Sequence, residues 1–217
     1  MPGNGLQVME WRVSPHRGKL PRIKVCPVII QIIDMEPTPN PNAYKFITDQ
    51  ELLAPGKKIN LMSHEDYSSL PLAKELFGLN EDLETILITE NFVSLSGSRL
   101  TDWQIVHACL ERHISGFDRV KAETLADAQK ASFAQKRAEL PAGDVVNQIE
   151  DLLETFVRPA LAGDGGGVEL VGVEDNIVLI RYQGACGSCP TSTANTLNAI
   201  QNLLRTKLGQ DFILQPA

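Results

Sequence analysis

The chain has 217 residues, 43% of them hydrophobic and 22% charged, enough for two small domains and too apolar for general disorder. Its net charge of −7 gives no pull toward nucleic acid or anionic membrane, and no apolar run reaches the ~20 residues of a membrane helix, so neither partner is expected. Four cysteines, Cys26, Cys109, Cys186 and Cys189, are too few for a disulfide scaffold and point to a reducing compartment, the cytoplasm.

Residues 1–27 carry five Lys or Arg against the single acid Glu10. They read as a disordered extension. A mitochondrial or plastid transit peptide is the minor alternative, since Ser14 is their only serine and Pro2, Pro15 and Pro21 weaken any amphipathic helix. Residues 28–33 form a short aliphatic run expected to be a buried strand, with Cys26 just before it. The alternation Pro37, Thr38, Pro39, Asn40, Pro41, Asn42 predicts a rigid turn without evident chemistry, and residues 44–48 a second strand.

A polar loop follows, then a helix opened by Ser68, Ser69 and Pro71, with Leu72, Leu76 and Phe77 on its apolar side and Gly78 as its stop. Residues 85–89 and 92–95 read as a hairpin turning at Glu90 and Asn91. Thr101 to Gln104 is a capping box for a helix that carries Trp103, Val106, Leu110 and Ile114 at helical spacing. Cys109 falls on that helix's buried side as a core thiol, and His107 and His113, six positions apart, do not share a face. Residues 116–143 change to Ala, Lys, Gln and Glu and are expected to be a partly helical linker. Val120, Leu125, Phe133 and Leu140 are too sparse for a core helix.

Residues 144–217 read as a second domain. Asp144 caps a helix whose Val145, Ile149, Leu152, Leu153 and Phe156 recur on one side, and Pro159 ends or kinks it. Asp164, Gly165, Gly166 and Gly167 turn the chain into strand 168–173. They lack the Lys and Ser or Thr of a phosphate loop, though Asp164 could help shape a site nearby. A turn at 174–176, a return strand over 177–183, a helix bearing Ala194, Leu197, Ile200, Leu204 and Leu208, and a last short strand at 212–214 complete the order helix, strand, strand, helix, strand. The fold class expected is α+β: two small two-layer α/β domains, residues 28–115 and 144–217, joined by the linker.

Between the return strand and the last helix stand Gly184, Ala185, Cys186, Gly187, Ser188, Cys189 and Pro190. Pro190 and Thr191 mark a helix start, and a helix N-terminus favours thiolate, the form that binds metal. Cys186 and Cys189 supply two donors where a tetrahedral zinc or a cubane cluster commonly wants four, and residues 144–217 contain no histidine. Cys26 or Cys109 could complete the set only if the first domain folded across. A two-fold dimer that pairs two thiol loops does so more simply and should leave the shared site exposed. On these residues a zinc-bridged structural dimer and a thioredoxin-like oxidoreductase stay open, although few residues follow the motif for the strands an oxidoreductase needs. No Ser, His and Asp arrangement or carboxylate pair stands out, so catalysis is not expected.

The segments Asp164-Gly165-Gly166, Gly184-Ala185-Cys186 and Cys189-Pro190 resemble the C-terminal domain of NifU and of Nfu-type iron–sulfur proteins. Thr38 to Asn42, Lys45-Phe46, Pro71 to Lys74 and Asp102-Trp103 resemble the family's N-terminal module. The resemblance implies a homodimer that assembles a [4Fe-4S] cluster between its subunits on Cys186 and Cys189 and passes it to apo-proteins. The upstream assembly machinery is an implied further partner. Gly167, where an acidic residue is frequent, and the extension before residue 28 depart from the pattern.

Overall fold

The computed structural model describes residues 29–98, 103–138, 143–187 and 192–217. Strands β1 (Ile32–Pro37), β2 (Ala43–Thr48), β3 (Ile59–Met62), β4 (Leu83–Ile88) and β5 (Phe92–Gly97) form an antiparallel sheet in the order β1-β2-β5-β4-β3. Helices α1 (Pro71–Leu79) and α2 (Trp103–Ile114) cover one face, where Phe46, Ile86, Ile88, Val93 and Leu95 meet Leu76, Phe77, Val106 and Leu110. Because side chains alternate along a strand, the other face carries Lys45, Asn60, Thr85, Leu87, Ser94 and Ser96. A face of that composition normally meets water. Here Asn60, Thr85, Leu87, Ser94 and Ser96 are all buried, because the second half of the chain lies on it.

That second half opens with α4 (Gly143–Leu152), a π-helical turn (Leu153–Val157) and α5 (Arg158–Gly163). The hairpin β6 (Gly166–Glu174) and β7 (Ile177–Gly184) follows, then α6 (Ser192–Leu208) and β8 (Ile213–Pro216), which pairs parallel to β7. Its own core gathers Ile149, Leu153, Val168, Ile180, Ile200 and Leu204. The two sheets with their helices make the expected mixed α+β arrangement.

Several expectations need correction. Residues 29–31 are not strand; β1 starts at Ile32 and is an edge strand with Ile33 and Met35 exposed, since it pairs with β2 alone. The presumed polar loop contains β3, whose Ile59 and Leu61 are buried while Asn60 turns to the polar face. Helix α1 takes Leu70 as its N-cap, without a side-chain capping bond, and relies on Pro71 for its start. The capping-box residues Thr101 and Asp102 lie outside the described residues.

The segment read as linker holds α3 (Arg119–Ala138). It reaches the first core through small residues, Ala122 and Ala126, which a search for large apolar side chains passes over. Gln129 of α3 pairs with both backbone groups of Asn60, accepting from its N–H at 3.1 Å and donating to its carbonyl at 2.9 Å, which closes the free edge of β3. Phe156 is half exposed and Val157 is buried instead. The π turn adds a residue to the helix there, so that Ile149, Leu153, Val157 and Leu161 line one side at intervals of four.

Candidate functional site

The loop after β7 is built from glycines that permit close approach. Gly184 has φ +56°, and Ala185 donates its N–H to the carbonyl of Gly165, itself at φ +73°. Cys186 donates its N–H to the Gln183 carbonyl and Gly187 to that of Gly184, folding the loop back on the strand end. A Cβ on Gly166 would stand 2.2 Å from Cys186 Sγ, so that glycine is the space the thiol occupies. The two glycine-containing motifs are therefore one piece of structure: Gly165 holds the loop backbone and Gly166 receives its sulfur.

Cys186 is 7% exposed and packs in the second core. In the single chain this thiol is therefore covered, whereas the exposed site expected from the sequence is one shared by two paired loops. Burial, together with the nearby Cys186, pushes the Tyr182 hydroxyl up to about 12, so it remains a protonated O–H beside the thiol at neutral pH. Asp164 is exposed and closes α5 with its N–H on Leu161 and Ala162. Cys189 and Cys26 lie outside the described residues. A cleft of about 510 Å³ between the two halves is lined by Lys58, Phe133, Arg158, Glu169 and Gln183, and by Gly166, against which Cys186 Sγ rests.

The first half of the chain covers the loop from the other side. Asn40, 2% exposed, donates its side-chain amide to the Ala185 carbonyl at 2.9 Å, while its Oδ1 accepts from Asn42 N–H and so stays fixed in the turn. The hydroxyls of Thr85 and Ser96, hydrogen-bonded to each other, stand 3.2 and 3.1 Å from the Gly184 carbonyl, which accepts the proton the pair leaves free, and Gly184 N–H donates to Asn60 Oδ1 at 3.1 Å. Leu87 packs so near Gly184 that a Cβ there would lie 2.7 Å from its Cδ2. Outside this ring, Lys45 Nζ donates to the Gly163 carbonyl, Lys58 pairs with Glu169 at 3.1 Å and Arg181 with Glu65 at 3.1 Å.

Asn40, Asn60, Thr85 and Ser96 are contacts that sequence reading missed. The signal for the last three is the alternation of small polar with aliphatic residues in β3, β4 and β5, which ordinarily means a solvated face; Asn40 stands in the turn before β2.

Cys109 is on the helix side of the same sheet, away from the loop, so the structure does not bring it to Cys186. It forms with Glu75 and His113 a cluster whose donor atoms lie within 4.8 Å of one another, His113 following it by one helical turn. The carboxylate is already engaged: Arg112 Nη2 and His113 Nε2 each stand 2.6 Å from it. Burial above all, and then the charge of Glu75, pushes the Cys109 thiol up to about 11. A cation there would have to displace a guanidinium and ionise a reluctant thiol, so the cluster reads as a brace between α1 and α2.

The family described as scaffold protein Nfu/NifU N terminal matches residues 33–119, and the NifU-like domain family matches residues 149–213. The Homo sapiens protein named NFU1 iron-sulfur cluster scaffold homolog, mitochondrial, is 30% identical over 193 residues, covering 86% of this chain and 72% of the human one. Its namesakes in Drosophila erecta and Drosophila yakuba are 30% identical over 203 and 173 residues, covering 94% and 80% of this chain. The chain spans 66% and 60% of the length of those two relatives. The solution structure of a NifU-like protein from Saccharomyces cerevisiae aligns with 48% of this chain and 93% of its own at 20% identity, with a TM-score of 0.36.

Proposed function

We propose that this chain, which belongs to the Nfu-type NifU-like family with an N-terminal Nfu module and a C-terminal NifU domain, is an iron–sulfur cluster scaffold and carrier. Two such chains share a [4Fe-4S] cluster on Cys186 and Cys189 and pass it to apo-proteins. The observation that carries this reading is the construction around Cys186. A thiol is set in a loop of Gly184, Ala185 and Gly187, with Gly166 leaving room at the sulfur and no histidine in residues 144–217 to complete a mononuclear site. Soft thiolate donors suit iron–sulfur centres, and a half set per chain suits a site formed and dissolved by association.

The cluster is cargo, so the chain's part is to bind, shield and release it, without bond-making chemistry of its own. Residues 144–217 do the binding. Residues 28–115 hold and cover the thiol loop and offer the surface for recipients or for the assembly machinery. The thiols need a reducing compartment; the cytoplasm expected from the sequence and the mitochondrial location in the relatives' names both meet that need. No helix among the described residues is long and apolar enough to cross a membrane.

Anaerobic reconstitution with iron and sulfide tests the reading. Cys186→Ser or Cys189→Ser abolishes cluster formation, and Cys26→Ser and Cys109→Ser leave it intact. Zinc retained in place of iron under reconstitution would instead favour the structural zinc dimer, and insulin reduction by the apo chain the oxidoreductase.

A further inference from the structure

The polar face of the first sheet is shaped to the thiol loop. Asn40 and the hydrogen-bonded Thr85–Ser96 hydroxyl pair donate to two consecutive loop carbonyls, Asn60 accepts the N–H of Gly184, and Thr85 Cγ2 lies where a Cβ on Gly187 would touch it at 3.5 Å. Three of these four side chains belong to strands whose alternation would otherwise turn them to water. The turn that presents Asn40 is also accounted for: Thr38 Oγ1 bonds the Asn40 and Ala43 carbonyls and accepts Asn40 N–H, fixing the amide where Ala185 arrives.

The fit is incomplete in a way that favours reversibility. Ser94 Oγ and Gln183 Oε1 are the buried side-chain atoms without a hydrogen-bond partner among the described residues. Ser94 lies at this interface, against Gly165, and Gln183, next to Gly167 in its own hairpin, lines the cleft between the halves. Each would regain a water partner if the halves parted, which lowers the cost of opening. Of the peripheral ties, Arg181 with Glu65 is a part-exposed ion pair that water replaces readily, whereas Lys58 with the buried Glu169 is the firmer of the two.

We infer that this face is a receptor for the chain's own thiol loop, that the docked chain withholds Cys186 from a cluster, and that release of the loop from Asn40, Thr85 and Ser96 precedes cluster binding. The inference rests on the reading of Cys186 as a cluster ligand. In the docked state its sulfur is enclosed between Gly166 and the second core, and the first sheet packs on the loop backbone beside it at Gly184, Ala185 and Gly187. The closed chain and the loop-to-loop dimer are then alternative states, and their balance is set by the contacts just named.

The test is the rate at which N-ethylmaleimide alkylates Cys186 in the full reduced chain, followed by peptide mass, with cluster uptake measured in parallel. Asn40→Asp keeps the acceptor that holds Asn42 and removes the donor to Ala185. Arg181→Glu breaks the ion pair with Glu65, and Glu65→Arg added to it restores an opposite-sign pair. Asn40→Asp and Arg181→Glu raise the alkylation rate roughly three- to tenfold, the effect of one lost hydrogen bond or ion pair on an opening equilibrium, and uptake quickens with it. The double charge exchange returns the rate toward that of the unaltered chain, and does so even if Asn40→Asp perturbs its turn.

Equal alkylation in the unaltered chain and both openings, or a charge exchange that restores nothing, overturns the inference. Alkylation that responds as stated while no variant takes up a cluster supports the docking and sinks the ligand reading. Uptake that proceeds with alkylation unresponsive does the reverse.

Discussion

The side-chain amide of Asn40 donates to the backbone carbonyl of Ala185, 145 positions further along the chain, at 2.9 Å. One bond thus joins the proline-flanked turn of the first module to the residue before Cys186. Two motifs that look independent in the sequence are two sides of one contact.

Gly166→Ala should displace the thiol of Cys186, because the new methyl would stand 2.2 Å from Sγ and 3.0 Å from the Cys186 backbone nitrogen. Overpacking of this kind costs about 1–3 kcal/mol. Urea unfolding should show a loss of that size, and the reconstituted variant should hold much less iron. A variant with unchanged midpoint and full iron content would show that the glycine does not make room for the sulfur.

At Gly184 two penalties coincide. A φ of +56° costs a residue with a side chain roughly 1–2 kcal/mol, and a Cβ there meets the Gly165 carbonyl oxygen at 2.6 Å and Leu87 at 2.7 Å. Gly184→Ala should therefore loosen the two halves as well as the loop, seen as faster proteolysis of the native chain. Unchanged digestion would mean that the loop is not pressed on Leu87 in solution.

Much of this arrangement was legible in the sequence, and the exceptions share a cause. The hairpins, α2 and the order of the second domain follow from strand alternation and helical periodicity, which report burial against a large core. β3, the packing of α3 on the first core and the polar face were missed because their burial involves small or polar residues: Asn60, Thr85 and Ser96 are satisfied by backbone groups 88 or more positions away, and Ala122 and Ala126 fill space without marking it. The π turn that exposes Phe156 leaves no trace in a pattern read at 3.6 residues per turn. The thiol loop was legible as chemistry, whereas its cover was not, since no local pattern states what a distant segment will present.

Cys109 should be inert. With its thiol near 11 and 1% exposed, it is almost wholly protonated at pH 8 and out of reach, so native alkylation at that pH should spare it and denaturation should expose it. Cys109→Ala should cost about 1–2 kcal/mol through the cavity and leave the iron content unchanged. Rapid native labelling of Cys109 would contradict its place in the core.

The brace formed by Glu75 gives the fold an acid limb. Its carboxyl lies below the ordinary range, first through the His113 hydrogen bond and then through the charge of Arg112. A depressed carboxylate stabilises the folded state at pH above the unfolded value of ~4.3 and loses that contribution as pH falls through the folded value. Glu75→Gln should therefore be less stable than the unaltered chain near pH 7, and the gap should close as the pH drops below about 4. Urea midpoints from pH 3 to 7 that run parallel in the two proteins would remove Glu75 from the account.

The central claim, that each chain brings half a coordination sphere, is tested most directly by native mass measurement of the anaerobically reconstituted protein. The expected species is two chains with one [4Fe-4S] cluster, with apo chains single. A cluster of the same mass carried by a lone chain, or by chains in which Cys186 has been replaced by Ser, would contradict it.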